Sequence, residues 1–446
     1  MKSTVRQIEN QNKPLKPEQA AGDDLVDILV FLIPCLRFVQ LKVVGVLSGS
    51  DLLISVVFLY LLFRRRIRIA TPVGKWLMVL CSLWLASQCV TDIVRHSAFM
   101  DYARGWSNIG MTIAYLAVLW TLLYGKPRRI VLYGWGLVLG SILTFFISPD
   151  DLMTDYPWKF GLSLPVTLAV FLLASRKDCR DSWPVTMSAV IGVINFGLGA
   201  RGVGGFCLVT ALYLQVIRVM RRRGMAGRKL NARSVMTVAG SIIIGFACIL
   251  WVYQFAARRG ILGEDARSKY EAESSGKYGI LLGGRTEMLG YLPAIYDSPI
   301  LGHGSWAKDP TYLIAEREAL AMMGYTISDE LSTDLMEDAM IPTHSYIFGA
   351  WVDAGILGAL FWGWIWVLTA RILMQVHPPS LVMLPLLTFA AFSLLWDVLF
   401  SPYGAQMRII SPYYIVLILT YWPLTPYKVA EGAVNIAKQR PAHAGG

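Results

Sequence analysis

Charge is scarce in this sequence, cysteines are unpaired, and nothing resembles a cleavable leader. Only 16% of the 446 residues are charged against 55% hydrophobic, well below the quarter or so that a water-soluble globule carries. The six cysteines, Cys35, Cys81, Cys89, Cys179, Cys207 and Cys248, fall in or beside apolar runs without paired spacing. Neither a disulfide framework nor a zinc site is expected, and packing is their role. No small-residue cleavage pattern follows the first apolar run, so no removable signal peptide is expected. There is no Asp-x-Asp pair, no metal-ligand pattern and no internal repeat, inverted or parallel. The net charge of +11 would suggest nucleic acid in a soluble protein, but here the basic residues gather in short turns between apolar runs. That is a topology signal, and no nucleic-acid partner is expected.

What the chain has in plenty is apolar runs of the length that crosses a hydrocarbon core. Read against the basic turns they predict an all-α polytopic membrane protein of about twelve transmembrane helices with one large periplasmic helical segment. The spans fall near 25–48, 50–63, 72–91, 107–124, 130–147, 159–175, 183–199, 203–220, 234–254, 345–370, 380–400 and 411–425. The turns "RRRIR" (64–68), "KPRR" (126–129), "RKDCR" (176–180), "RRRGMAGRK" (221–229) and the one holding Arg371 and His377 then share one side, as the positive-inside rule requires of the cytoplasm. The organisation follows: a cytoplasmic tail 1–24, a bundle 25–254 of about nine spans, a periplasmic helical cap 255–344, a bundle 345–425 of about three spans, and a cytoplasmic tail 426–446. The cap carries more acidic than basic side chains, opposite in sign to the whole chain. Its pattern predicts helices near 285–297 and 311–324.

Topology isolates the basic residues that the positive-inside rule does not explain: Arg95, Arg104, Arg201, Arg258, Arg259, Arg285 and Arg408. Arg201 stands in "GARGVGG", a very short turn between spans. A guanidinium drawn toward hydrocarbon costs about 2.5–3.5 kcal/mol at a span's centre, so an anion near it is expected. Snorkelling to lipid headgroups, or pairing with Asp397 in "LLWDVLFSPYG", is one reading. A phosphate held bidentately by the planar fork of Arg is the other. Arg285 follows Gly283 and Gly284 and is read as opening a helix, where the macrodipole disfavours a cation but free N–H groups suit an anion. A surface salt bridge to Glu271 or Glu273 is the alternative. His303, in "GHG", is a turn residue or an accessory to the site.

"PTHSYIFGAWVDAGILG" (342–358) places His344 in the first turn of a span at the external interface. The positive end of a helix opposes protonation there, which suits a neutral imidazole to accept a proton. Helical spacing puts Phe348, Trp351 and Gly355 beneath His344, whereas Asp353 lies about half a turn round. An interfacial polar residue without chemistry is the plain alternative.

Together the Gly-Ala-Arg turn, "GGRTEMLGYLPAIYDSPILGHGSW" (283–306) and "PTHSYIFGAWVDAGILG" resemble the bacterial O-antigen ligase and O-antigen polymerase superfamily over roughly 185–370. The resemblance implies a GT-C-like membrane glycosyltransferase of the inner membrane. Its donor would be an undecaprenyl-diphosphate-linked glycan, used at the periplasmic face without metal, cofactor or nucleotide sugar. It also implies Arg201 and Arg285 as ligands of the donor diphosphate and His344 as activator of the acceptor hydroxyl, with His303, Arg104, Arg408 and Asp397 as accessory candidates. Guanidinium groups stabilise charge developing on a diphosphate leaving group, and a base sharpens the attacking hydroxyl. Two features depart from the family: Ser345 follows the histidine where Asn is common, and the stretch between His303 and His344 is long.

The expected activity is transfer of a lipid-linked glycan onto an acceptor hydroxyl, with inversion. The acceptor is a lipid A core in the ligase reading, slightly preferred, or a second lipid-linked glycan in the polymerase reading. A transporter or flippase of the same glycans is the rival. It would place ionisable groups near the midplane and repeats in the chain, whereas the candidates here gather at one external mouth.

Overall fold

The computed structural model describes residues 17–43, 45–176, 182–226, 250–261, 263–279, 285–325, 339–378 and 380–422, with isolated positions between 227 and 249. The helices are α1 (Pro17–Cys35), α2 (Gly49–Phe63), α3 (Pro72–Arg95), α4 (Phe99–Leu123), α5 (Pro127–Ile147), α6 (Asp151–Asp155), α7 (Ser163–Ala174), α8 (Trp183–Gly197), α9 (Arg201–Arg222), α10 (Glu264–Ser274), α11 (Met288–Asp297), α12 (Pro310–Met322), α13 (Tyr346–Ala354), α14 (Ile356–Leu373), α15 (Leu384–Phe400) and α16 (Met407–Thr420). Among the described residues six helices are long and apolar enough to cross a membrane: α3, α4, α5, α7 with its leading π turn Pro157–Leu162, α9 and α14. Four shorter apolar helices, α2, α8, α15 and α16, accompany them. The chain is an all-α membrane protein by this evidence. Large apolar side chains face outward along it, Phe63 at 81% exposed and Phe146 at 72%, where water would oppose them and lipid would not.

Two predicted spans differ in the structure. The run 25–48 is not one helix. α1 stops at Cys35, a 3₁₀ turn covers Leu36–Phe38, and strands β1 (Gln40–Val43) and β2 (Gly45–Ser48) pair antiparallel. Ser48 and Asp51 then form a capping box that starts α2, so the chain reverses before it could continue as helix. The run 345–370 is broken at Gly355, whose φ of 67° and ψ of −162° a side-chain-bearing residue rarely adopts. The run 234–254 lies largely outside the described residues, as do both predicted tails apart from 17–24.

Basic side chains tie the helices together at one end of the bundle. There Arg129 bonds Asp27 at 2.7 Å and Asp23 at 2.8 Å, tying the start of α5 to that of α1. Arg221 donates to the carbonyls of His377 and Pro378, tying α9 to the turn after α14. α1 runs parallel to α5, where Gly136 and Gly140 admit the backbone carbonyls of Phe31 and Pro34, a small-residue contact of the membrane-helix kind. α16 is buried almost all round from Arg408 to Leu419, which makes it the axis of the bundle. α11 and α12, at the other end, belong to the cap; they match the predicted 285–297 and 311–324 apart from the first turn of the former.

Candidate functional site

The cap is fastened to the bundle by one polar face of an apolar helix. Gln88, Thr91, Asp92 and Arg95 fall at i, i+3, i+4 and i+7 on α3, the spacing of a single helical stripe, and all four bond the loop 298–305. Arg95 donates from Nε to the Gly302 carbonyl at 3.1 Å and from Nη2 to Ser298 Oγ at 2.8 Å. Asp92 accepts from the Ser305 N–H at 2.6 Å and its hydroxyl at 2.7 Å, and from Trp106 Nε1 at 2.8 Å. Gln88 donates to Ser305 Oγ at 2.9 Å, and Thr91 to the Leu301 carbonyl. The loop continues as an edge on α13, with His303 N–H on the Val352 carbonyl at 2.7 Å and Gly304 N–H on the Asp353 carbonyl at 3.1 Å. The His303 ring binds the Ala294 carbonyl at 2.7 Å. Arg95 and His303 are thus occupied in holding this loop. The stripe on α3 is visible in the sequence as polar residues at helical spacing in an apolar helix, and it was not read there.

On this support α11 and α13 meet face to face. Tyr291 on α11 and Glu287 at its N-cap oppose Phe348 on α13 and His344 just before that helix. The rings of Tyr291 and Phe348 stack at 4.8 Å, and His344 Nδ1 lies 3.6 Å from Glu287 Oε1. His344 is 57% exposed at its side chain. It does not sit in the first turn, as the sequence reading expected. Ser345 is the N-cap, its hydroxyl accepting from the Phe348 N–H at 3.2 Å and donating to the Val398 carbonyl at 2.9 Å. The helix therefore begins at Tyr346, a fully buried ring bonded to Ser411. His344 is the last free residue before a rigid anchor. Asp353 contributes its backbone to the loop rather than an orienting carboxylate to the imidazole.

Arg285 precedes Glu287 by two residues. It does not open α11, which starts at Met288; residues 286–287 form the turn before it, and Gly283 and Gly284 lie outside the described residues. Its guanidinium packs 5.0 Å from the rings of both Trp396 and Phe400 on α15. Trp396 also meets Phe206 of α9 at 5.7 Å, and α9 begins with Arg201 five residues earlier, about 7.5 Å along the axis. Arg285 thus rests on the aromatic rings of α15, while Arg201 stands about one and a half turns before Phe206 on α9 and packs against a different ring. Arg201 bonds the Tyr253 hydroxyl, stacks on that ring at 4.8 Å and lies 3.8 Å from Glu273 Oε2. Its acidic neighbour is Glu273, not Asp397; the latter accepts from Ser401 at 2.6 Å.

The other candidates stand apart. Arg408 is buried in an ion pair with Asp51 at 3.0 Å, and Arg104 rests 5.6 Å from the Trp306 ring. Two acids of the cap, Glu287 and Glu316, were not singled out from sequence, because the residues that give them meaning come from distant segments. Burial raises the Glu316 carboxyl above its ordinary range, and Glu287 adds to the shift while a hydrogen bond from Thr286 opposes it. Burial, then Glu287, raises the Tyr291 hydroxyl in the same way.

No family model, no curated protein and no solved structure matches the chain.

Proposed function

We propose that the chain is an inner-membrane glycosyltransferase that moves an undecaprenyl-diphosphate-linked glycan onto an acceptor hydroxyl at the periplasmic face, the O-antigen ligase reaction being slightly preferred over polymerisation. The observation that carries this reading is the half-exposed His344 beside Glu287, with Arg285 on the same turn, at the seam between cap and bundle. A general base needs a ring nitrogen free to take a proton and a partner for the other nitrogen. Glu287 supplies the partner at Nδ1, which leaves Nε2 for the acceptor hydroxyl. The 3.6 Å separation is longer than a hydrogen bond, and such contacts close when substrate binds.

Proton transfer from the hydroxyl to Nε2 would accompany attack on the anomeric carbon. The C–O bond to the diphosphate breaks with its electrons on the leaving oxygen, where Arg201 and Arg285 would meet the charge. Ser345 supports the reading in another way: Asn, common after the histidine in the resembling superfamily, is like Ser a favoured N-cap, so the same helix start is kept.

The test is reconstitution with an undecaprenyl-diphosphate glycan and each acceptor separately, read on a gel. A shift of lipid A core supports the ligase and ladder growth of the lipid-linked glycan the polymerase. No transfer to either acceptor by folded protein would overturn the proposal.

A further inference from the structure

The turn after α1 holds a charge that the described chain does not neutralise. Arg37 is only 6% exposed. Its Nη1 donates to the neutral hydroxyl of Ser141 at 2.8 Å, and among the described residues it has no carboxylate partner. Close by, Arg408 is committed to Asp51 at 3.0 Å, the Val46 carbonyl at 2.8 Å and Asn108 at 3.4 Å. Asp51 also accepts from the backbone and hydroxyl of Ser48. Of two buried arginines in this region only Arg408 has a carboxylate partner among the described residues, and the positive charge of Arg37 is left over. Arg37, Gln40, Ser48, Asp51 and Gln406 line a cleft of about 280 Å³ counted to its open mouth. Its roof is the β1–β2 hairpin.

The outer side of that hairpin is apolar: Val39 and Leu41 are each about two-fifths exposed. Below it, Leu25, Ile28 and Leu32 on α1 and Leu52 and Val56 on α2 also face outward. An apolar wall under an apolar hairpin, with a cationic cleft between hairpin and bundle, is the profile of a site at the headgroup level of a bilayer.

We propose that this cleft binds the phosphate of a membrane phospholipid, with Arg37 as its principal donor, the Gln40 amide beside it, and the acyl chains along α1 and α2. A phosphodiester carries one negative charge, which matches the surplus. The guanidinium fork suits two of its oxygens. The inference does not rest on the transfer reaction; it requires only that the bundle lie in a membrane.

The test uses the purified full chain in detergent. Retention of phosphatidylglycerol is read by native mass spectrometry against a diacylglycerol with the same chains, and inorganic phosphate is compared with phosphatidylglycerol by thermal shift. Phosphatidylglycerol is expected to be retained about tenfold or more over diacylglycerol, the worth of a charge-assisted hydrogen bond. Arg37→Gln should lose that preference. Gln40→Glu leaves both buried arginines in place and should lose it by repulsion, which keeps the test decisive if Arg37→Gln does not fold. Lys75→Gln, an exposed cation on α3, should keep it. Equal retention of the two lipids, or undiminished phosphatidylglycerol on Gln40→Glu, overturns the proposal. Stabilisation by inorganic phosphate equal to that by phosphatidylglycerol would overturn the lipid as the source.

Discussion

Glu287 changes what can be asked of His344, because an acid beside the imidazole makes the pair, not the single residue, the unit to test. His344→Ala should lower turnover by about 10²–10⁴-fold while donor binding persists, since a base acts on the transition state. Glu287→Gln keeps the shape and removes the charge, and should cost about tenfold or more in turnover with little change in KM for donor. Steady-state kinetics on both variants, with donor retention by native mass spectrometry, checks this; a Glu287→Gln enzyme with full turnover would leave His344 unassisted. At Arg201 and Arg285, replacement by Ala should remove about 2–4 kcal/mol of transition-state stabilisation, or roughly 30- to 1000-fold in rate. Lys should restore only part, because both guanidinium planes lie against rings and an ammonium does not stack in that way. Glu316 gives a pH test of the cap itself. Its carboxyl is raised by burial from an ordinary 4.5, so the ionised form is the one that folding penalises. The penalty is absent in acid, sets in as pH rises through 4.5 and is complete above the raised value. Glu316→Gln should therefore slow hydrogen exchange in α12 at pH 7 and leave it unchanged at pH 4.

At the scale of elements, the break at Gly355 decides how cap and bundle meet. A Cβ there would stand 1.9 Å from the Ile300 carbonyl oxygen, in a backbone conformation that itself costs about 1–3 kcal/mol without glycine. Gly355→Ala should lower the melting temperature in detergent and expose the loop 298–305 to protease, whereas Gly363→Ala, whose Cβ would meet the Ile347 side chain at an ordinary 3.6 Å, should do neither. The helices were largely legible in the sequence because length and apolar patterning are local properties: α3, α5 and α9 stand where the runs are. The hairpin was not, because "QLKVVGVLS" reads as one more apolar stretch and only Gly45, at φ 81°, marks the turn. Gly355 was hidden for the same reason, a glycine among apolar residues in a run long enough to span. For the site, His344, Arg201 and Arg285 stood out as ionisable groups in unlikely places. Their partners Glu287, Tyr253, Glu273 and Trp396 did not, since tertiary packing alone brings those side chains to them.

For the whole molecule, the basic turns between apolar runs make sidedness testable. In a cysteine-free background, Ala272→Cys on the exposed face of α10 should react with an impermeant maleimide in intact spheroplasts, and Ala70→Cys before α3 only after lysis; the opposite pattern would invert the topology. A different consequence follows from the clasp between Asp92 and Ser305, whose partners are 213 residues apart in sequence. At the usual pace of synthesis, about 5–20 residues per second, roughly 10–40 s pass between the two. Through that interval the first spans have already been made while their buried acid still waits for the two donors of Ser305. A nascent chain stalled before residue 305 therefore holds this carboxylate near one end of α3 with its local donors Gln88, Ser97 and Trp106 alone, and its solvation is completed only when the clasp closes.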